Sequence, residues 1–276
     1  MCNKFILGIC QMKVGYDKNT NIKNAVEMLK KASEKGANIA VLPEMFNCPY
    51  DNNYFLKFSE TIEKGETVKA LSNAAKELGI YVVAGSIPEI DNDKLYNTSM
   101  VFDKNGILLA KHRKIHLFNI NIPGNIVFKE SDTFEAGNEI TIVDTQYGKI
   151  GIAICYDIRF PEIFRLMSLK GAKVIIVPAA FNMVTGPAHW KELIRIRAVD
   201  NQVFLAAAAP ARDDNASYVS YGHSMIVEPW GKILACGREK EEIILSEIDL
   251  ERVEQVRKEL PLLENMRTDL YYVDEK

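Results

Sequence analysis

The stretch KIGIAICYDIRFPE, residues 149–162, passes from an apolar segment into a charged one and ends on a proline followed by an acid. Ile150, Ile152 and Ile154 belong to a short apolar run of the kind that forms a strand buried on both faces. Cys155 closes that run, and Tyr156, Asp157 and Arg159 follow it. Pro161 suits the first turn of a helix, so the stretch reads as strand, short turn, helix. That order belongs to α/β proteins, whose ligands sit beyond the carboxyl ends of strands. Cys155 is then either a small buried hydrophobe, as free cysteines commonly are, or a nucleophile displayed at a strand end. A helix N-terminus close by would lower its pKa. An ordinary thiol, with a pKa near ~8.5, is only a few per cent ionised at neutral pH, so a nucleophile here needs an activating partner.

The same grammar repeats on both sides. FILGICQ (5–11) reads as a strand, and KNTNIKNAVEMLKKASEKGA (18–37) as a helix with Ile22, Val26 and Leu29 on one face and a stop at Gly36. NIAVLPE (38–44) is the next strand, ETVKALSNAAKELG (66–79) a helix and IYVVAGSIPE (80–89) a strand. LYNTSMVFDKNGILLAKHRK (95–114) reads as a hairpin around Asn105-Gly106. EITIVDTQYGKIGIAICYD (139–157) reads as a second, turning near Tyr147-Gly148. Helices over 161–172 and 187–202 flank the buried strand KVIIVPAAF (173–181). Strands over 203–211, 222–229 and 242–250, and a helix over 250–260, complete the chain before a tail. Two rounds of strand, helix and strand, with hairpins between, predict mixed sheets covered by helices. Stacking two such sheets would give helix–sheet–sheet–helix layers.

Bulk properties narrow the function. The 276 residues suit one α/β domain, with 47% apolar and 26% charged residues and a net charge of −3. No Lys/Arg block marks a nucleic-acid groove, and no apolar run approaches the ~20 residues of a membrane span. The opening MCNKFILGICQ turns polar too soon for a secretory signal. The five cysteines, Cys2, Cys10, Cys48, Cys155 and Cys236, are odd in number and form no C-x-x-C pair. That argues against a disulfide framework and a thiolate zinc site, and for a reducing, cytoplasmic setting.

Six further residues bear on Cys155. The histidines are His112, His116, His189 and His223. His112 and His116 have i, i+4 spacing without the glutamate a zinc protease needs, while a Cys–His dyad stays open. Glu44, in IAVLPEMF, follows a buried strand and a proline. It is either a solvated loop acid or a desolvated carboxyl with a raised pKa that serves as general base. Lys114, in AKHRKIHLF, is either a surface lysine or a fixed ammonium for a developing oxyanion.

Taken together, LPEMF around Glu44, KHRKIHLF around Lys114 and GIAICYDIRFPE around Cys155 resemble, in order and spacing, the signature of the nitrilase (carbon–nitrogen hydrolase) superfamily. The resemblance spans the chain. Within FKESDTFEAG (128–137), Glu130 matches that family's second active-site glutamate. FNMVTGPAHWKELIRIRAVDNQVF and APARDDNASYVSYGHSMIV look like the omega-amidase branch. The resemblance implies a single carbon–nitrogen hydrolase domain over 1–276, folded as a four-layer α-β-β-α sandwich with mixed sheets. It implies Glu44, Lys114 and Cys155 as catalytic residues with Glu130 assisting, and neither metal nor organic cofactor. The implied substrates are short dicarboxylate monoamides, 2-oxoglutaramate and 2-oxosuccinamate.

In that reading the Tyr156 N–H joins Lys114 at the oxyanion. Arg159 offers a fork for the far carboxylate, and Phe181 and Thr185 line the pocket. Arg195 and Arg197 are expected to be structural, one pairing with Asp200 or Asp157. His189 and Trp190 are expected to shape a loop or a subunit contact. The resemblance further implies a homodimer or larger oligomer, with the tail over 261–276 packing at the interface. The segment 118–128 could act as a lid. An alternative is another amidase of the superfamily, acting on deaminated glutathione or an N-carbamoyl group. A non-catalytic interaction protein would need one of the three catalytic residues to be missing.

Overall fold

A computed structural model describes residues 3–275; Cys2 and Lys276, the last residue of the expected tail, lie outside the described residues. In chain order the elements are β1 (Lys4–Gln11), α1 (Lys18–Glu34), β2 (Ile39–Val41), α2 (Asn52–Phe58), α3 (Glu66–Leu78), β3 (Tyr81–Asp91), β4 (Lys94–Phe102) and β5 (Leu108–Arg113). A small hairpin follows, β6 (Asn119–Ile122) and β7 (Ile126–Lys129). Then come β8 (Thr141–Thr145), β9 (Gly148–Ile152), α4 (Pro161–Leu169), β10 (Val174–Pro178), α5 (Thr185–Asn201) and β11 (Phe204–Ala208). The last are β12 (Met225–Val227), β13 (Ile233–Cys236), β14 (Glu242–Asp249) and α6 (Glu251–Glu259).

The helices start and stop where local chemistry directs. Asp17 caps α1 by accepting the Thr20 N–H at 2.8 Å. Pro161 opens α4, where its missing N–H costs nothing. Gly79 ends α3 in the left-handed conformation.

The strands make two six-stranded sheets, ordered β14-β1-β2-β3-β4-β5 and β13-β12-β11-β10-β9-β8. In the first, β1, β2 and β3 are parallel, and β14, β4 and β5 pair antiparallel at the edges. In the second, β9, β10 and β11 are parallel and β8, β12 and β13 are antiparallel. The two sheets thus share one pairing pattern. Each parallel triple is crossed by two main helices, α1 and α3 in one half, α4 and α5 in the other.

Alternation along the strands explains the layers. Leu7, Ile9, Ile39, Val41 and Val83 face Ile150, Ile152, Val174, Ile176 and Phe204 across the space between the sheets. The intervening Cys10, Ala40, Leu42 and Val82 pack under α1 and α3, against Ala25, Leu29, Leu71 and Ala75. Ile175, Val177, Leu205 and Ala207 do the same beneath α4 and α5. Strands buried on both faces must be apolar throughout, which is why they read as continuous runs. Each buried Val, Leu, Ile or Phe among them contributes about 1.5–3 kcal/mol of transfer free energy. The result is the four-layer sandwich expected from the sequence.

Several elements depart from expectation. The hairpin β6–β7 occupies the segment expected to be a lid, turning at Pro123-Gly124, and α2 and β13 form where no element was expected. The expected strand over 222–229 contracts to β12, and α5 starts at Thr185, two residues early. In the tail, Leu270, Tyr271 and Tyr272 are exposed. Among the described residues no helix is long and apolar enough to cross a membrane.

One close approach prepares the site. The pairing of β3 with β4 slips between Ala84 and Ile87, and Gly85 there has φ +20°. A Cβ on Gly85 would lie 2.0 Å from the Pro43 carbonyl oxygen, one residue before Glu44. Gly85→Ala is therefore expected to push the Glu44 loop aside. The expected result is a loss of turnover of ~10²-fold, as misplacement by about 1 Å produces, with a lower thermal midpoint. Steady-state ammonia release and thermal unfolding measure both, and a variant that matches the parent on both would show the approach to be unimportant.

Candidate active site

The carboxyl ends of the two sheets meet over a buried polar cluster. Glu44 follows β2 through Leu42 and Pro43, and Lys114 is the first residue after β5. Glu130 opens a short 3-10 turn immediately after β7. Cys155 begins another 3-10 turn (Cys155–Arg159), three residues beyond the end of β9. All four side chains are buried.

Lys114 sits at the centre. Its Nζ donates to Glu44 Oε1 at 2.9 Å, to Glu130 Oε2 at 2.7 Å and to the Tyr50 hydroxyl at 3.4 Å, which uses all three protons. Burial opposes its charge, but the Glu130 and Glu44 carboxylates outweigh it and hold the ammonium pKa well above the ordinary value. Glu130 Oε2 also accepts the Phe118 N–H at 2.6 Å, which ties the base of the β6–β7 hairpin to the cluster. Asn97, in the middle of β4, donates from one Nδ2 to Glu44 Oε1 at 2.9 Å and to Glu130 Oε1 at 2.8 Å.

Glu44 and Cys155 are coupled. Burial raises the Glu44 carboxyl above its ordinary range, and Glu130 adds to that while Lys114 opposes it. Its Oε2 has no hydrogen-bond partner among the described residues that meets normal geometry. Burial also pushes the Cys155 thiol well up, and the Glu44 charge adds to the effect. Lys114 and a main-chain hydrogen bond from Ala180 pull the other way without prevailing. This corrects the expectation of a thiol acidified by a helix N-terminus. A single 3-10 turn carries little dipole, whereas burial and a neighbouring carboxylate are large effects. The resting sulfur is a thiol beside a base.

The turn that carries Cys155 is held from below. Cys155 has φ +45°, an uncommon conformation for a residue with a side chain. Buried Asp157 accepts the Ile154 N–H at 2.9 Å, the His116 N–H at 2.9 Å and His116 Nδ1 at 2.8 Å, with His112 Nε2 at 3.4 Å. Burial would raise the Asp157 carboxyl, but hydrogen bonds from His112 and His116 reverse this and hold it far below the usual range. The first bond of the turn runs from the Asp157 N–H to the Ile154 carbonyl, so the Tyr156 N–H is not used by it. Arg197 fastens the far end, donating to the Ile158 carbonyl at 2.8 Å and to that of Arg159 at 3.3 Å.

The sequence-predicted pocket residues meet here. Cys155, Tyr156, Arg159, Phe181 and Thr185 line one cavity of about 190 Å³ together with Phe118, Ala180 and Tyr218. The Arg159 guanidinium lies 5.1 Å from the Phe181 ring and 5.7 Å from that of Tyr156, and Nη1 is 3.3 Å from His189 Nδ1. Among the described residues no carboxylate pairs with it. The Thr185 hydroxyl is already committed to Asn182 Oδ1 at 3.2 Å. A second cavity of about 480 Å³ shares Ala180 and Tyr218 with the first and reaches Glu44 and Tyr50.

The remaining candidates take structural places. Arg195 donates to the Gly231 carbonyl at 3.0 Å, and Arg197 approaches Asp200 at 3.8 Å, while Asp157 serves the histidines instead. Trp190 is buried, with its indole N–H on the His223 carbonyl at 2.7 Å. None of the four histidines hydrogen-bonds Cys155 among the described residues. Sequence reasoning missed Asn97 and the anchoring role of Asp157. The polar run Asn97-Thr98-Ser99 inside an apolar strand was the available signal for the first. Among the described residues no group of three or more His, Cys, Asp or Glu is disposed to hold a metal ion.

A thiol, a carboxyl and an ammonium converging at the ends of a double sheet define a cysteine hydrolase of the carbon–nitrogen type. The chain belongs to the carbon–nitrogen hydrolase family, whose sequence model matches residues 6–258. Among characterised proteins it is similar to "Omega-amidase NIT2" of Xenopus tropicalis, with 50% identity over 273 residues and 99% of each chain covered. The human "Omega-amidase NIT2" is 47% identical over 272 residues, covering 99% of this chain and 98% of that one. The crystal structure of Saccharomyces cerevisiae Nit3, described as a member of branch 10 of the nitrilase superfamily, superposes with a TM-score of 0.89 at 43% identity, covering 96% of this chain and 97% of that one.

Proposed function

We propose that this protein is an omega-amidase that hydrolyses the terminal amide of short dicarboxylate monoamides, 2-oxoglutaramate and 2-oxosuccinamate, through a thioester on Cys155. Glu44 accepts the thiol proton as Sγ attacks the amide carbon. Because the thiol pKa is held high, proton transfer and attack proceed together. Lys114 Nζ, giving up its long contact with the Tyr50 hydroxyl, and the Tyr156 N–H receive the charge that develops on the carbonyl oxygen. The C–N bond breaks as Glu44 returns the proton to nitrogen, releasing ammonia and leaving the thioester. Water then gives a proton to Glu44 and adds to the thioester carbon, with Glu130 holding Lys114 in place. The C–S bond breaks, the sulfur recovers the proton, and the acid departs.

The observation that carries the substrate class is the shared cavity of Cys155 and Arg159. It is small, and its lining includes a guanidinium without a carboxylate partner among the described residues. We read the chain as one domain. Pairing into a homodimer in the cytoplasm is also part of the proposal, and the exposed apolar side chains of the tail suit a subunit contact.

Ammonia release from a panel of amides tests this reading. 2-Oxoglutaramate or 2-oxosuccinamate is expected to exceed deaminated glutathione and N-carbamoyl amino acids in kcat/KM by about a hundredfold or more. Intact mass should show an acyl adduct confined to Cys155. Arg159→Leu should raise KM for the dicarboxylate monoamides by roughly 10- to 100-fold, the worth of charge-assisted hydrogen bonds, and leave an uncharged short amide little changed. A preference for the N-carbamoyl or glutathione-derived substrates would end the proposal.

A further inference from the structure

We infer that Asn97 is a positioning residue that sets the protonation and aim of the general base; the inference rests on the amidase reading above. Its side chain and main chain together touch three members of the cluster. Nδ2 donates to Glu44 Oε1 at 2.9 Å and to Glu130 Oε1 at 2.8 Å. Its carbonyl accepts the Lys114 N–H at 2.8 Å. Asn97 is fully buried, and its register on β4, opposite Pro88, is fixed by the sheet.

The arrangement answers a problem in electrostatics. Two buried carboxylates face one ammonium, so they repel each other and one proton is retained more tightly. A second cation would neutralise the base altogether. A neutral NH₂ group supplies one N–H to each carboxylate and adds no charge. On Glu44 it shares Oε1 with Lys114, so both donors converge on one oxygen. Oε2 is left buried and without a hydrogen bond of normal geometry among the described residues. That oxygen is the one free to take a proton from sulfur. Asn97 thus keeps Glu44 ionised often enough to act and turns the correct oxygen toward Cys155.

Two substitutions separate this role from packing. Asn97→Asp preserves size and shape but replaces the double donor by an acceptor and a charge. Asn97→Leu removes the donors and keeps an apolar side chain of similar bulk. Hydrogen bonds to an ionised carboxylate favour its charged form, so their loss raises the Glu44 pKa. The acidic limb of the kcat/KM profile should therefore move to higher pH, by about one unit in Asn97→Leu and further in Asn97→Asp. In both, kcat should fall by roughly 10- to 100-fold with KM within about threefold, since the lost contacts are not with substrate. A packing role predicts the opposite ranking, with the isosteric aspartate milder than leucine.

The pH dependence of Cys155 alkylation by iodoacetamide gives a readout that needs no amide substrate. Its midpoint should shift with the acidic limb, so an error in the substrate class and an error in the role of Asn97 have different signatures. Should either variant fail to fold by circular dichroism, Asn97→Ser takes its place, with a hydroxyl too short to reach both carboxylates. Unshifted limbs and alkylation midpoints in the folded variants, or leucine harsher than aspartate, would overturn the inference.

Discussion

Lys114→Met is expected to give a protein without amidase activity that is insecurely folded at neutral pH and regains stability on mild acidification. The lysine is the only cation that hydrogen-bonds Glu44 or Glu130 among the described residues, and all three groups are buried. Removing one partner of a buried ion pair costs about 3–5 kcal/mol, because the other charge stays without compensation. Two carboxylates then face each other with only Asn97 between them. Without the lysine that lowers it, the Glu44 carboxyl would hold its proton more tightly than in the parent. A carboxyl whose pKa is raised on folding favours the folded state while protonated, and that contribution disappears as pH rises through the folded value. The deficit relative to the parent should therefore be larger at pH 7.5 than at pH 5. Urea unfolding at the two pH values measures it, and an equal deficit at both would refute the electrostatic account. Loss of the oxyanion donor alone should lower kcat by at least ~10²–10³.

The second large effect falls on Glu44→Gln, with the opposite consequence for stability. Burial raises the Glu44 carboxyl pKa despite Lys114. By the same linkage, the ionised form present at higher pH costs folding free energy, while the protonated form does not. Glutamine resembles the protonated carboxyl and leaves Lys114 paired with Glu130. The variant should thus be at least as stable as the parent at neutral pH. As a base it is useless, so turnover should drop by ~10²–10⁴. Thermal unfolding and ammonia release on the same sample decide the matter. A large fall in midpoint would mean that the ionised carboxylate holds the fold together, and turnover within tenfold of the parent would remove Glu44 from the chemistry. In the parent, activity should fail as pH drops through the raised Glu44 pKa while the fold persists.

The residues that were legible in the sequence share one property: each lies within three residues of the end of a strand. Glu44 and Cys155 stand where apolar runs stop, and Lys114 closes the basic end of a hairpin strand. Arg159, Phe181 and Thr185 could be placed in a pocket only through the family resemblance. Asn97 was hidden because it lies within a strand, where a polar residue usually marks the solvent face. Both faces of this strand are covered, so Asn97, Thr98 and Ser99 are all buried, and the alternation rule gives no warning. Asp157 was seen as a neighbour of the thiol, but its histidine partners, His112 on β5 and His116 just beyond it, lie 41–45 residues earlier in the chain. The β6–β7 hairpin was recoverable: Ile120, Ile122, Ile126 and Phe128 alternate around Pro123-Gly124. The shared pairing pattern of the two sheets was not, since the halves have different residues on the same plan.

That common plan has a consequence for how the enzyme comes alive. Glu44, Asn97 and Lys114 come from one sheet and Cys155 from the other. Neither half of the sandwich alone contains both the Cys155 sulfur and the Glu44 carboxylate that deprotonates it. A nascent chain, or one caught midway through refolding, carries Cys155 as an ordinary thiol without its base or its oxyanion donors, and so cannot turn over amides. Reactivity is the last property acquired, and its return after denaturation reports the docking of one finished layer onto another.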